Sequence, residues 1–404
     1  MRRIRLRPGG RPMEGLRERA VAGGRDGGAP ALVPSTHVTS DTPEAAHRLA
    51  EALGAGPFGL VILFVSPGAD VAALAREAEA VFGAVPVIGC TTAGEISSDG
   101  YTEGEIVAVA LPEAHFRARP VVVRDLARLD REALIGRLIR ERDALARDRP
   151  DWPGEFAFLM VDGLSTREDE LASALAAGLG PVPLFGGSAA DGVRFRETFV
   201  IHNAEVLRDA AVLALVRSDC RVRVFNLDHF RPTDQRMVVT EADPARRIVR
   251  RINAEPAAQE YARLLGKDPD QLDSFTFAAH PVVVRIGGKH HVRAIREVAP
   301  NGDLVFFSAI DEGLVLTLAE PQDLVGHLAG ELAALGAEGP PSAIVACDCV
   351  LRRMEALDSQ AVGAVSRLLR QHRVVGFSTY GEQLNGMHVN QTMTGVAIYP
   401  PEEP

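Results

Sequence analysis

The apolar residues of this chain come in short unbroken runs, each followed by a helical pattern and then by a second apolar run. GLVILFVS at 59–66 has no polar position until its end, the character of a strand covered on both faces. ADVAALAREAEAVFG follows as a helix, with Gly83 placed to cap its carboxyl end. VPVIGC is the next short strand, and TTAGEI is its exit loop. Upstream, DTPEAAHRLAEAL sets Ala46, Leu49, Ala50 and Leu53 at helical spacing, with Asp41 as the expected N-cap and Pro43 in the first turn.

This strand–helix–strand order returns twice. EFAFLMVD (155–162), REDELASALAAGLG and VPLFGG leave through SAADG, and SAIVACDCV (342–350), SQAVGAVSRLLRQH and RVVGF leave through STYGE. The junctions VPVIGCTTAGE, VPLFGGSAADG and VVGFSTYGE share a short apolar strand, a glycine, a small or hydroxyl residue and an acid. Repetition of this kind predicts an α/β fold of repeated strand–helix–strand units in two related modules with mixed β-sheets. Its ligand-binding loops should gather at the carboxyl ends of the strands. Further strand-like segments are ETFVIHN, AAVLALVRS and VRVFNL, and HHVRAIREVAPNGDLVFFSAI reads as a hairpin turning at Asn301-Gly302. PARRIVRRINAEPAAQEYARLLG reads as a helix between the halves. The expected organisation is a disordered tail over 1–30, an amino-terminal module over 31–225 and a carboxyl-terminal module over 226–404.

Composition narrows the function classes. A net charge of −10 over 404 residues excludes a general nucleic-acid binder, which presents a basic face. Four cysteines are too few for a disulfide framework in a chain of this length. The Arg/Gly-rich start lacks a secretory apolar region, and no stretch has the length and apolarity of a membrane span, so a cytoplasmic protein without membrane insertion is expected. The glycines are not phosphate cradles: no lysine follows them in P-loop spacing, and polar turns rather than a helix follow GCTTAG and GGSAADG. Thr91, Thr92, Ser188, Ser378 and Thr379 stand at the strand exits, but no nucleophile elbow surrounds them. Cys90 has no basic neighbour to activate it, and Cys347 and Cys349 lack a second ligand pair for zinc. The chain is therefore not expected to be an enzyme. Glu95 and Glu382 occupy matching places after the first and third junctions. With Asp191, Asn390 and the hydroxyl residues they form a candidate ligand-binding set. Two histidines, His37 in PSTHVTSD and His388 in NGMHVNQT, lie in polar, small-residue loops where a single imidazole could ligate haem iron.

VIGCTTAGEI, LFGGSAADG and the closing GFSTYGEQLNGMHVNQTMTGVAIY resemble hallmark segments of the FIST family of bacterial signal-transduction sensors, which have amino- and carboxyl-terminal FIST modules. HHVRAIREVAPNGDLVFFSAIDEG resembles the carboxyl module, and the likeness runs over roughly residues 33 to 400. Within the family, STHVTSD and GMHVNQT are similar to segments of the nitric-oxide-sensing haemoproteins called NosP. That resemblance implies a haem b held without covalent attachment, His388 or His37 on its iron, and Arg293 or Arg285 at its propionates. It also implies nitric oxide as signal and a histidine kinase or a cyclic-di-GMP enzyme (diguanylate cyclase or phosphodiesterase) as partner. FIST proteins at large imply instead a haem-free sensor of a small ligand such as an amino acid.

Overall fold

A computed structural model describes residues 31–401; the tail expected over 1–30 lies outside them. The first repeat runs β1 (Ser35–Thr39), α1 (Ala45–Leu53), β2 (Phe58–Val65), α2 (Val71–Phe82), β3 (Val87–Thr91), a hairpin of β4 (Glu95–Ser97) and β5 (Gly100–Thr102), and β6 (Glu105–Pro112). The second has the same order: β7 (Phe116–Arg124), α3 (Arg131–Asp148), β8 (Gly154–Val161), α4 (Glu168–Leu179), β9 (Leu184–Ser188), the hairpin β10 (Val200–His202) and β11 (Glu205–Leu207), and β12 (Ala210–Ser218).

The third repeat opens with β13 (Val222–Leu227) and is then interrupted. The insertion comprises β14 (Phe230–Asp243), β15 (Ile248–Ile252), β16 (Glu255–Pro256), α5 (Ala257–Leu265), α6 (Ser274–Ala279), β17 (Val282–Ile286), β18 (Lys289–Arg293), β19 (Ile295–Val298), β20 (Leu304–Phe306) and β21 (Val315–Pro321). The repeat resumes with α7 (Leu324–Leu335), β22 (Ala343–Cys349), α8 (Val350–Asp358), α9 (Val362–Gln371) and β23 (Val374–Thr379). It closes with the hairpin β24 (Glu382–Leu384) and β25 (Met387–Val389), and β26 (Met393–Ile398).

Each repeat builds a six-stranded sheet, but none keeps its own hairpin. The orders are β1-β6-β2-β3-β10-β11, β7-β12-β8-β9-β24-β25 and β13-β26-β22-β23-β4-β5. The first sheet takes the hairpin of the second repeat, the second that of the third, and the third that of the first. The pairs β2–β3, β8–β9 and β22–β23 are parallel and their flanking pairs antiparallel, so the sheets are mixed. The insertion forms a separate eight-stranded sheet, with its central path ordered β18-β17-β21-β14-β15-β20-β19 and β16 paired to β15.

The unbroken apolar runs are explained by what covers each face. Along β2, Leu60, Ile62 and Phe64 enter a core shared by all three sheets, while Val61, Leu63 and Val65 pack under α1 and α2. Phe156, Phe158 and Met160 of β8 and Val345 and Cys347 of β22 join the same central core, and the alternate residues of those strands face their own helices. Two-residue alternation sends successive side chains to opposite faces, so a strand covered on both must be apolar throughout. At the centre Phe64 stacks on Phe377, ring centroids 4.8 Å apart, and Phe158 on Phe185 at 4.7 Å.

The junction glycine has a packing cause. Gly89, Gly186 and Gly376 stand opposite Leu63, Leu159 and Ala346 in the three parallel pairs, and opposite the crossing hairpin on the other side. A Cβ at these places would lie 2.5, 2.4 and 1.8 Å from the facing carbonyl oxygens. Only glycine admits that approach.

Some local expectations are corrected. Residues 244–266 are not one helix: β15 and β16 precede α5, because Ile248-Val-Arg-Arg-Ile pairs with β14 and β20 in the insertion sheet. The residue that precedes α1 is Glu44, in left-handed conformation, while Asp41 accepts from the Thr39 hydroxyl at 2.6 Å. The sequence-based division at 225/226 falls within β13, and two of the three six-stranded sheets draw strands from both sides of it. No helix among the described residues is long and apolar enough to cross a membrane.

Candidate functional site

The exits of β3, β9 and β23 come together beneath the insertion sheet. Ala93, Ala190 and Tyr380, one from each exit, share an apolar cluster with Phe230, Val283, Val292, Ala294 and Phe307 of the insertion. The hydroxyl and acidic residues read from the sequence divide here into latches and unsatisfied groups.

Glu95 and Glu382 are latches. Thr92 donates its hydroxyl to Glu95 Oε1, and the Glu105 amide donates to Oε2 at 3.1 Å. In the third repeat Thr379 donates to Glu382 Oε1 at 2.5 Å, and the amide and hydroxyl of Thr392 donate to Oε2 at 3.1 and 2.9 Å. Each carboxyl ties the start of an exchanged hairpin to the strand that returns after it. Burial pushes their pKa values up, Glu95 to about 7 and Glu382 to about 8, since a buried carboxylate loses its hydration. The second repeat solves the same problem differently: Asp162, at the end of β8, accepts from the Thr198 hydroxyl and from the Asp209 amide at 2.6 Å.

Asp191 organises the loop from β9 to β10. Its carboxylate accepts from the amides of Phe195 (2.8 Å), Arg196 (3.0 Å) and Glu197 (3.1 Å) and from the Tyr380 hydroxyl. Phe195 thereby stacks on Tyr380, centroids 4.4 Å apart, and covers the exits. Thr91 is another loop anchor, its Oγ accepting from the Phe199 amide at 3.0 Å. Thr91 and Asp191 also border a cleft of about 510 Å³ on the solvent side of the loop, lined by Asp70, Val71, Arg194, Arg196 and Glu197. Arg194, Arg196 and Glu197 are exposed; Arg194 Nε donates to the Asp191 carbonyl at 2.9 Å and Glu197 pairs with Arg208 at 2.9 Å.

Beneath the loop the situation is reversed. His388 is buried, and its Nδ1 accepts from the Gln383 amide at 3.1 Å. An amide nitrogen cannot accept, so the imidazole proton sits on Nε2. Burial lowers the His388 pKa and keeps the ring neutral. That Nε2–H has no partner, and neither do Asn390 Nδ2, Arg293 Nε, Ser308 Oγ, Gln383 Oε1, Gln391 Oε1 and Ser378 Oγ, all buried. Several are demonstrably neighbours: Arg293 donates to the His388 carbonyl at 3.1 Å, and Asn390 Oδ1 accepts from the Ala294 amide at 3.4 Å. A Cβ on Gly381 would meet His388 Nε2 and Asn390 Nδ2 at 2.8 Å each, so both nitrogens face one point. Ser188 accepts from Gln383 at 3.0 Å and holds that amide in place.

The nearby acids are already neutralised. Arg247 of the insertion reaches Glu168 at 2.5 Å and Asp169 at 3.4 Å. Arg293, mostly buried, has no carboxylate within ion-pair distance among the described residues. The cluster thus offers unpaired donors and one uncompensated positive charge. Sequence reasoning picked out His388, Asn390, Arg293 and Ser378. It missed Gln383, Gln391, Ser308 and the Arg247–Glu168 pair.

Two histidines were the expected haem ligands, and the packing around each is specific. The His388 ring lies against Gly381, where a Cβ would stand 2.4 Å from its Cε1, so the space beside Nε2 is occupied by Gly381 and Asn390. His37 lies on the edge strand β1, its Nε2 3.7 Å from carboxylate oxygens of both Asp99 and Glu105. Neither surrounding fits a porphyrin. Arg285 is exposed on β17, opposite His290.

The three strand–helix–strand repeats thus bring their exits together at one end, around buried polar groups without partners. The family follows: the chain matches the FIST N domain over residues 59–255 and the FIST C domain over 257–385, and it belongs to the FIST family, whose domains are sensory modules of signal transduction. It is 26% identical over 253 residues to an uncharacterised protein of Methanocaldococcus jannaschii, a match taking in 57% of this chain. The match spans 48% of that relative, about half its length.

Proposed function

We propose that this chain is a sensor of a small carboxylate-bearing molecule of the amino-acid class, received by the buried donors around His388. The observation that carries the reading is that His388 Nε2–H and Asn390 Nδ2 lie near one point, beside an Arg293 that donates to the His388 carbonyl, and that His388 Nε2, Asn390 Nδ2 and Arg293 Nε have no partner. A buried polar group left unpaired costs about 1–3 kcal/mol, so several together call for an external acceptor. A carboxylate supplies acceptor oxygens and a negative charge for Arg293, and Gln391 Oε1 offers an acceptor for an amino group. The site is closed in this conformation, so entry requires the Asp191 loop, with Phe195 on Tyr380, to move aside. Such a loop is a two-state element: occupancy changes which surface it presents to a partner, a histidine kinase or a cyclic-di-GMP enzyme.

The test is thermal denaturation of the purified chain against a panel of amino acids and simple carboxylates. A ligand at a hundred times its Kd stabilises by about 2.7 kcal/mol. The stabilisation should disappear in Asn390→Leu and Arg293→Met while the unliganded proteins stay folded. A panel without effect, or variants that bind as the parent does, overturns the reading. A second reading, haem b with nitric oxide as the signal, has the resemblance of GMHVNQT in its favour and the packing against it, since Nε2 of His388 carries the ring proton and is covered by Gly381 and Asn390. It is ended if the chain shows no Soret band after incubation with haem.

A further inference from the structure

At the opposite ends of the strands, the turns that join successive repeats meet. The turn from β6 to β7 carries His115, and the turn from β12 to β13 carries Asp219 and Cys220. Ser218 ties them together: its hydroxyl donates to the His115 carbonyl at 2.8 Å and accepts from the Cys220 amide at 3.0 Å. The three side chains point into one place. Asp219 Oδ1 lies 3.2 Å from His115 Nδ1 and 3.4 Å from Cys220 Sγ. All three ligand atoms are within 4.8 Å of one another.

We infer that His115, Asp219 and Cys220 form a binding site for a zinc-class divalent ion that fastens the two inter-repeat turns. Zinc takes imidazole nitrogen and carboxylate oxygen at about 2.0–2.2 Å and thiolate sulfur at about 2.3 Å. In a tetrahedron those bonds separate nitrogen from oxygen by about 3.3 Å and sulfur from oxygen by about 3.5 Å, close to the distances present before any ion arrives. Burial keeps the free Cys220 as a thiol, so binding releases its proton to water. The thiolate formed and one carboxylate, with a neutral imidazole, balance a divalent charge, and nitrogen with sulfur selects zinc-class metals over calcium or magnesium. Half-exposed His115 and Asp219 give the ion a way in, and Cys220 closes the inner side. Three protein ligands leave a fourth position for water. A hydrogen-bonded His–Asp pair accounts for two of these groups but not for the thiol aimed at the same oxygen.

Cobalt(II) reports the site through its colour. The full chain without affinity tag, stripped with chelator, should take up one equivalent of Co2+ with a thiolate-to-cobalt charge-transfer band and intense tetrahedral ligand-field bands, and zinc should bleach both. Cys220→Ser should lose the charge-transfer band. His115→Ala should weaken uptake by at least about tenfold, since even losing a supporting hydrogen bond to a metal ligand costs 10–100-fold. Cys90→Ala, which removes a thiol outside the trio, should keep the full spectrum. An unaltered parent spectrum at one equivalent, or Cys220→Ser and His115→Ala proteins that are folded by circular dichroism and bind as the parent does, would overturn the assignment.

Discussion

Replacing Glu382 by glutamine tests whether its buried carboxyl is a latch that dislikes being charged. Burial moves this group from 4.5 to about 8. In the folded chain it holds a proton across a pH range where the unfolded chain has lost it. Stability therefore falls as pH rises from about 4.5 towards 8 and is level beyond. At about 1.36 kcal/mol for each tenfold change in proton affinity, the full loss is about 5 kcal/mol. Glutamine keeps the shape and takes over the three bonds, its carbonyl accepting from the amide and hydroxyl of Thr392 and its NH2 donating to Thr379 Oγ. The assay is urea denaturation of parent and Glu382→Gln at intervals from pH 5 to 9. The variant should gain on the parent by about 4 kcal/mol across that range, most of it below pH 8. Glu95→Gln should show a smaller gain of the same sign that levels off near pH 7, where that carboxyl titrates. A difference between parent and Glu382→Gln that stays within about 1 kcal/mol at all pH values refutes the reasoning, and so does a parent that becomes more stable relative to the variant as pH rises.

Gly376→Ala should cost about 3 kcal/mol or more, because its Cβ would stand 1.8 Å from the Ala346 carbonyl oxygen; Gly330→Ala, in α7 with open space around it, should be neutral or stabilising by thermal melt. Arg247→Met strands Glu168, only 2% exposed, without its partner and should destabilise by about 3–5 kcal/mol in urea denaturation, with Glu168→Gln in the same chain recovering much of the loss. Asp191→Asn weakens the acceptor of three loop amides and the Tyr380 hydroxyl, so limited proteolysis should cut the 192–197 segment faster while β8 and β9 stay protected.

What the sequence made legible were the local units. Three apolar strand–helix–strand runs, each ending in a glycine and an acid, were visible because covered strands must be apolar at every position and short. The destination of the hairpins was not visible. Ile96, Ile201 and Gln383 look alike whether they return to their own sheet or cross to the next, and only the three-dimensional closure of the sheets decides. The first half of 244–266 misled for a different reason. Arginines at 246, 247, 250 and 251 between apolar residues suit an exposed helix as well as a strand with one solvated face. Its pairing with β14 and β20 outweighed local preference.

The site was legible in part. His388 and Asn390 stand in a conspicuous polar run, but the sequence left the role of that run open between iron ligation and ligand contact. One overlooked signal would have helped. Asn385-Gly386 between two short strand-like segments is a two-residue hairpin turn, and that register sets Gln383 directly opposite His388. A side chain on the facing strand, ending in an amide, is then the natural partner of Nδ1, which places the proton on Nε2 and makes the imidazole a hydrogen-bond donor rather than a metal ligand. Ser308 and Arg247 carry no such signal, because they reach the site from an insertion that interrupts the third repeat. The insertion itself is what covers the three strand exits: without β18 to β20 packed on them, the groups around His388 would be open to water. The proposed ligand site therefore depends on the part of the fold that breaks its threefold repetition.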